Sequence, residues 1–210
     1  MSAALTPATV FLVDDDPSVL RAVGRLVRLA GWSVATFGSP QDFLNQQNPD
    51  SPGCLVLDVT MPGLNGFELQ QALVRAGNCL PIIFLTGQGD IPMSVRAMKS
   101  GAVDFLSKPC RDKELLEAIS QALAHDRQFR LSRAGEKAVS ESLATLTPRE
   151  YQVMLGVVAG QLNKQIAADL GTVEKTIKVH RARVMGKLGV SSVADLVRLA
   201  ERGGVRAKAK

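Results

Sequence analysis

No apolar stretch in this 210-residue chain approaches the roughly 18–20 residues that a membrane span needs. The first basic residue, Arg21, comes too late to form the charged head of a secretory signal. A cytoplasmic protein with no membrane contact is expected. Cysteine is scarce: Cys54, Cys79 and Cys110 are odd in number, widely spaced and without a C-x-x-C pair, and only two histidines accompany them. That excludes a disulfide framework and makes structural zinc a poor fit. Internal repeats and low-complexity tracts are also missing. With 46% hydrophobic and 21% charged residues the chain has a globular composition, and its length suits two modules.

What is present is unevenly distributed. Residues 1–125 carry 9 Lys+Arg against 12 Asp+Glu, and residues 126–210 carry 16 against 8, so the two parts have net charges of −3 and +8. An acidic module joined to a basic one implies separate tasks, with the basic one meeting a polyanion.

Residues 8–13 form a continuous β-prone run ending at Asp14-Asp15-Asp16-Pro17, where Asp16 suits a helix cap and Pro17 its first turn. Val19, Leu20, Val23, Leu26, Val27 and Ala30 follow at helical spacing up to Gly31. The alternation continues with strands at Ser33–Phe37, Cys54–Asp58, Pro81–Thr86 and Val103–Leu106. Helices are expected at Pro40–Asn48, Gly66–Ala76, Ile91–Ser100 and Asp112–Ala124. Unbroken apolar strands between helices predict a doubly wound α/β fold with a parallel five-stranded sheet. Residues 126–145 turn polar and form a linker, either a helical extension or a flexible connection. Four short helices follow, at Pro148–Ala159, Lys164–Leu170, Glu174–Leu188 and Ser192–Glu201. Residues 146–202 are therefore an all-α domain, and residues 203–210 a basic tail.

In such a sheet, ligands bind beyond the carboxyl ends of the strands. Asp14 and Asp15 end the first strand, Asp58 the third and Thr86 the fourth, and Lys108 follows the fifth. Three carboxylates this close repel one another unless a cation intervenes, and hard oxygen donors suit Mg²⁺. Val13-Asp14-Asp15, Asp58-Val59-Thr60-Met61-Pro62-Gly63, Thr86-Gly87 and Lys108-Pro109 resemble the motifs of a response-regulator receiver domain, the flavodoxin-like fold of CheY. The stretches Leu85–Met93 and Met98–Phe105 are similar to the FixJ branch. The resemblance implies that Asp58 accepts a phosphoryl group from a sensor histidine kinase. It also implies that Asp15, Asp58 and the Thr60 carbonyl hold Mg²⁺, with Asp14 acting through a water. Lys108 would neutralise charge, Thr86 would bond a phosphoryl oxygen, and Phe105 would be the aromatic switch. Cys110 departs from the phenylalanine often found there and reads as packing.

Residues 146–200 resemble the LuxR-type helix-turn-helix. The matching segments are Leu146–Glu150, Gly160–Ala167, Thr176–Arg181 and Lys187–Val190. At 100° per residue, Ile177, Val184 and Leu188 fall within about 40° of one another, with His180 and Arg181 at their edges, while Lys175, Lys178, Val179 and Ala182 project oppositely. The outward set suits phosphate, base-edge and thymine-methyl contacts. The DNA-binding set is thus Lys164, Lys175, Thr176, Lys178, Val179, Arg181 and Ala182, with Arg183 and Lys187 as weaker candidates. His180 is expected to make a structural hydrogen bond, Asn163 to cap a helix, and Glu150 to form an internal ion pair. Thr172-Val173 replaces the family's apolar-serine pair. Either Thr172 caps one residue early or the turn is recast, leaving the base-reading register open by about one position.

The resemblance implies a FixJ/NarL-type transcriptional regulator of a two-component system. Phosphorylation promotes a homodimer, which places two recognition helices on a two-fold site in double-stranded promoter DNA; RNA polymerase is a further candidate partner. Two other readings compete. One is a Mg²⁺-dependent aspartyl-phosphate phosphatase-like enzyme. The other is a receiver whose helical module binds a protein or RNA.

Overall fold

The computed structural model describes residues 7–87 and 91–205. Five parallel strands, β1 (Thr9–Val13), β2 (Ser33–Phe37), β3 (Gly53–Leu57), β4 (Ile82–Thr86) and β5 (Asp104–Ser107), lie in the order β2-β1-β3-β4-β5. Helices α1 (Pro17–Leu29), α2 (Pro40–Gln46), α3 (Gly66–Arg75) and α4 (Ile91–Lys99) alternate with them, and α5 (Asp112–Ala144) follows β5. Expected and observed strand limits differ by about one residue, as at β3 and β5.

Strand alternation sorts the core. Val10 and Leu12 point to one face, where Val27 of α1 and Leu115, Ile119 and Ala122 of α5 cover them. Phe11 and Val13 point to the other, packed with Phe43 of α2 and Phe67, Leu69 and Leu73 of α3. Both faces of the central strands are therefore dry, and β3 and β4 are buried along their whole length. Edge strands β2 and β5 are only partly covered.

Local chemistry sets the helix starts. Asp16 accepts the Ser18 N–H at 2.7 Å ahead of Pro17, as the sequence predicts. Asn65 and Glu68 form a reciprocal capping box at the start of α3. Gly66 is needed there for a different reason: a Cβ would stand 2.3 Å from the Asp58 carbonyl oxygen. The helix can approach the end of β3 so closely only because that side chain is absent.

Helix α5 runs unbroken to Ala144, so of the two readings of residues 126–145 the helical extension is the one observed, and the two compact units divide after Arg130, within this helix. A buried carboxylate holds the start of this extension. Asp126 is 3% exposed and accepts the Gly53 N–H at 2.9 Å and the Arg130 Nε–H at 2.8 Å. Arg130 also donates to the carbonyls of Asp50 and Ser51 at 2.8 and 2.7 Å. Polar residues that read as linker thus clamp the helix to the segment entering β3.

In the second unit, α6 (Pro148–Val158), α7 (Asn163–Asp169), α8 (Glu174–Leu188) and α9 (Val193–Arg202) enclose Val153, Met154, Val157, Ile166, Ile177, Val184 and Leu196. Thr147 and Glu150 cap α6 reciprocally, and Gly189 ends α8 in the left-handed conformation at φ 63°. Of the expected tail, residues 206–210 lie outside the described residues. Among the described residues no helix is long and apolar enough to cross a membrane.

Candidate functional site

Asp14 and Asp58 leave the carboxyl ends of β1 and β3, which are paired neighbours, so their side chains enter one pocket. The Asp58 N–H donates to the Val13 carbonyl at 2.9 Å, and the Asp14 N–H to the Phe37 carbonyl at 3.2 Å. Both residues are buried and Asp15 is exposed; one carboxylate oxygen from each lies within 4.8 Å of the others. Lys108 Nζ reaches in from the β5–α5 connection, 2.5 Å from Asp14 Oδ2 and 3.6 Å from Asp58 Oδ1. Its own N–H donates to the Thr86 carbonyl at 2.7 Å, which joins the ends of β4 and β5.

The electrostatics follow from this crowding. Burial raises the Asp58 pKa above the usual carboxylate range; the Lys108 ammonium opposes that shift and the Asp14 carboxylate adds to it. The Val59 N–H, donating to Asp58 Oδ1 at 2.9 Å, also favours the charged form. Three carboxylates facing one ammonium leave excess negative charge, and their hard oxygen donors fit a divalent cation such as Mg²⁺. Thr86 is fully buried at the end of β4, and Thr60 is exposed in the loop between β3 and α3. Phe105 is half-buried against the aromatic core, its ring centroid 6.3 Å from that of Phe84. The structure thus brings together the acidic residues and Lys108, while Phe105 on β5 packs with Phe84.

Some positioning residues escaped the sequence reading. Gly66 allows α3 to close on the Asp58 backbone, and the N-x-x-E pattern at Asn65–Glu68 was the available signal. Gln70 is buried and donates to the Ser100 carbonyl at 3.0 Å, tying α3 to the end of α4. Nothing local distinguishes it from an exposed helical glutamine.

On α8, Ile177, Val184 and Leu188 are buried, while Lys175, Lys178, Val179, Ala182 and Arg183 are exposed. Thr176 and Arg181 are half-buried, and Lys164 is exposed on α7. Lys178 pairs with Glu174 at 3.1 Å on the same helix. Two local expectations need correction. Asn163 is the first residue of α7 rather than its cap: Leu162 holds that place, its N–H donates to Gln165 Oε1 at 2.8 Å, and Asn163 Oδ1 accepts from Arg181 instead. His180 Nδ1 is buried with no hydrogen-bond partner among the described residues, so the expected structural bond is not made at that atom. Lys187 is exposed, and its Nζ lies 2.7 Å from Glu150 Oε2, the ion pair expected of that glutamate.

Val173 is the α8 N-cap without a side-chain hydrogen bond, and the helix starts at Glu174. The turn is recast, and Thr172 does not cap. The Glu150–Lys187 pair, joined by the Thr147 N–H on the same carboxylate, lowers the Glu150 pKa to about 2.

A receiver-type acidic pocket and a separate helix-turn-helix unit define a two-part regulator, and comparison with known proteins gives the same class. Residues 10–120 match the family "Response regulator receiver domain", and residues 144–200 match "Bacterial regulatory proteins, luxR family". The chain belongs to the response regulators that join these two domains, transcription regulators controlled by phosphorylation. It is similar to Nodulation protein W of Bradyrhizobium diazoefficiens, 48% identical over 97% of this chain and 90% of that protein. Transcriptional regulatory protein FixJ of the same organism is 40% identical over 95% of this chain and 98% of its own. A solved structure of the response regulator StyR has a TM-score of 0.88 and 46% identity, covering 94% of this chain and 100% of that one.

Proposed function

We propose that Asp58 is the phosphoacceptor and that its phosphorylation by a sensor histidine kinase drives dimerisation and DNA binding. The carrying observation is the buried Asp58 carboxylate, 3.6 Å from Lys108 and grouped with Asp14 and Asp15. One Asp58 oxygen attacks phosphorus; the new O–P bond forms as the N–P bond to the donor imidazole breaks, and its electron pair leaves on that imidazole. Burial keeps this carboxylate more basic than an exposed one and therefore a better nucleophile. Asp15, Asp58 and the Thr60 carbonyl are the residues to hold Mg²⁺, with Asp14 reaching it through water. The cation, when bound, neutralises charge on the phosphoryl oxygens.

Lys108 supplies a second positive charge to the transferring group, and the Thr86 hydroxyl then bonds a phosphoryl oxygen and draws its loop inward. Phe105 swings toward the space this leaves. The face formed by α4 and β5 changes with it and pairs with its copy. Ile91, Val95 and Met98 are exposed apolar residues on α4, which supports that role. Two copies present two recognition helices to a two-fold DNA site, read through Lys164, Lys175, Thr176, Lys178, Val179, Arg181 and Ala182. Phosphorylation needs to favour one receiver state by a few kcal/mol to change occupancy usefully.

The test is to treat the purified protein with acetyl phosphate and Mg²⁺, then measure intact mass and dimer fraction. Wild type should gain one phosphoryl group and dimerise, and Asp58→Ala should do neither. Phosphodonor-driven dimerisation that persists in Asp58→Ala would refute the proposal.

A further inference from the structure

Most cations near the proposed DNA face are either exposed or neutralised. Lys187 is paired with Glu150 and Lys178 with Glu174, while Lys164, Lys175 and Arg183 are exposed without an ion pair among the described residues. Arg181 is different. It is half-buried and, among the described residues, has no carboxylate within ion-pair distance. Among the described residues its one side-chain hydrogen bond runs from Nη1 to Asn163 Oδ1 at 3.2 Å. A guanidinium taken partly out of water normally recovers that loss from an anion. Here it meets a neutral amide, which fixes one edge of the fork and leaves the positive charge and the remaining N–H donors unspent.

The position suits an anion that arrives from outside. At 100° per residue, Arg181 lies about 40° from the buried Ile177 and about 60° from the exposed Lys178, at the margin where α8 meets α7. Lys164, the neighbour of Asn163 on α7, is exposed. A planar fork held on one side can offer two parallel N–H bonds to a phosphate, which a freely rotating lysine cannot do.

We propose that Asn163 is a positioning residue for DNA binding, holding the Arg181 guanidinium ready for a backbone phosphate. This rests on the DNA-binding reading of α8 given above. The tie converts a mobile arginine into a pre-ordered one, so the cost of immobilising it falls on folding rather than on binding. Because Asn163 is uncharged, it orders Arg181 without competing electrostatically with the phosphate.

The experiment uses the full-length protein and a mixed-sequence DNA duplex, with affinity measured across a salt series and thermal denaturation run on every variant. Arg181→Met should lower affinity and reduce the salt slope by about 0.9, the signature of one lost phosphate contact. Asn163→Ala keeps the charge, so its slope should stay at the wild-type value while affinity falls about 3–10-fold from the restored side-chain freedom. Asn163→Asp should keep the tie and the fold but cancel the charge, so its slope should fall with that of Arg181→Met. A tie that only fastens α7 to α8 predicts altered melting with wild-type slopes in Arg181→Met and Asn163→Asp, and that result overturns the proposal. A reduced slope in Arg181→Met beside unchanged affinity in Asn163→Ala overturns the positioning role alone. Absence of salt-dependent duplex binding by the wild type overturns the DNA-binding reading itself.

Discussion

Replacing Asp58 with asparagine tests whether the acidic pocket is maintained at a cost in stability. Asp58 is 7% exposed, with burial raising its pKa, Lys108 opposing the shift and Asp14 adding to it. At an effective dielectric constant of about 20, Lys108 at 3.6 Å attracts the carboxylate by about 4.6 kcal/mol. Asp14, whose oxygen lies within 4.8 Å, repels it by at least about 3.5 kcal/mol on the same scale. The two nearly cancel, and the desolvation of a buried charge decides the sign. Asp58→Asn should therefore stabilise the unit by about 1 kcal/mol at neutral pH, as removal of a functional strain commonly does. That corresponds to a rise in melting temperature of about 4 °C.

The assay is thermal denaturation of both proteins in a chelating buffer, repeated over a pH series. Since the folded pKa is raised, the wild-type penalty exists above that pKa and is gone below the unfolded value near 3.9. The gap between variant and wild type should thus be widest at neutral pH and close in acid. Adding Mg²⁺ should narrow it by stabilising the wild type. An Asp58→Asn protein that melts at or below the wild type in the metal-free neutral buffer would refute the reasoning.

Asp126→Ala removes the acceptor for a buried backbone N–H and leaves Arg130 without its carboxylate. A loss of about 3 kcal/mol is expected from breaking a buried pair, measurable by denaturant unfolding, together with faster hydrogen exchange at residues 50–53; wild-type stability would show that the clamp contributes little. Glu150, with its pKa lowered to about 2, stabilises the second unit above its unfolded value of 4.5, and that contribution is lost as pH falls through about 2. The melting difference between wild type and Glu150→Gln should accordingly be constant above about pH 5 and shrink below it, and a difference independent of pH would exclude the Lys187 pair as its source.

Much of the acidic site was legible because its chemistry sits where strands end. Asp14, Asp58 and Thr86 each close a recognisable apolar run, and an α/β sheet gathers such ends on one edge. Lys108 is less local, yet the connection after β5 returns to that same edge. The face of α8 was legible for a similar reason, since helical periodicity alone separates Ile177, Val184 and Leu188 from Lys175, Lys178 and Val179. Side-chain pairing across elements was not legible. Asn163 reads as a helix cap and instead meets Arg181 from another helix, and nothing in the sequence names Lys187 as the partner of Glu150.

By itself, then, the sequence determined the alternation of strands and helices, the acidic strand ends, the split of charge between two modules and the two faces of the recognition helix. Each of these depends on neighbours within a turn or a strand. Tertiary structure decided how the start of the expected linker is held, because Asp126 on α5 meets Gly53 only after the sheet has formed. It likewise decided which cations remain free to meet DNA and which are held by carboxylates. The physical reason is the same in both cases: a polar side chain gains from burial only where a distant part of the chain supplies its partner, and sequence spacing carries no record of that distance.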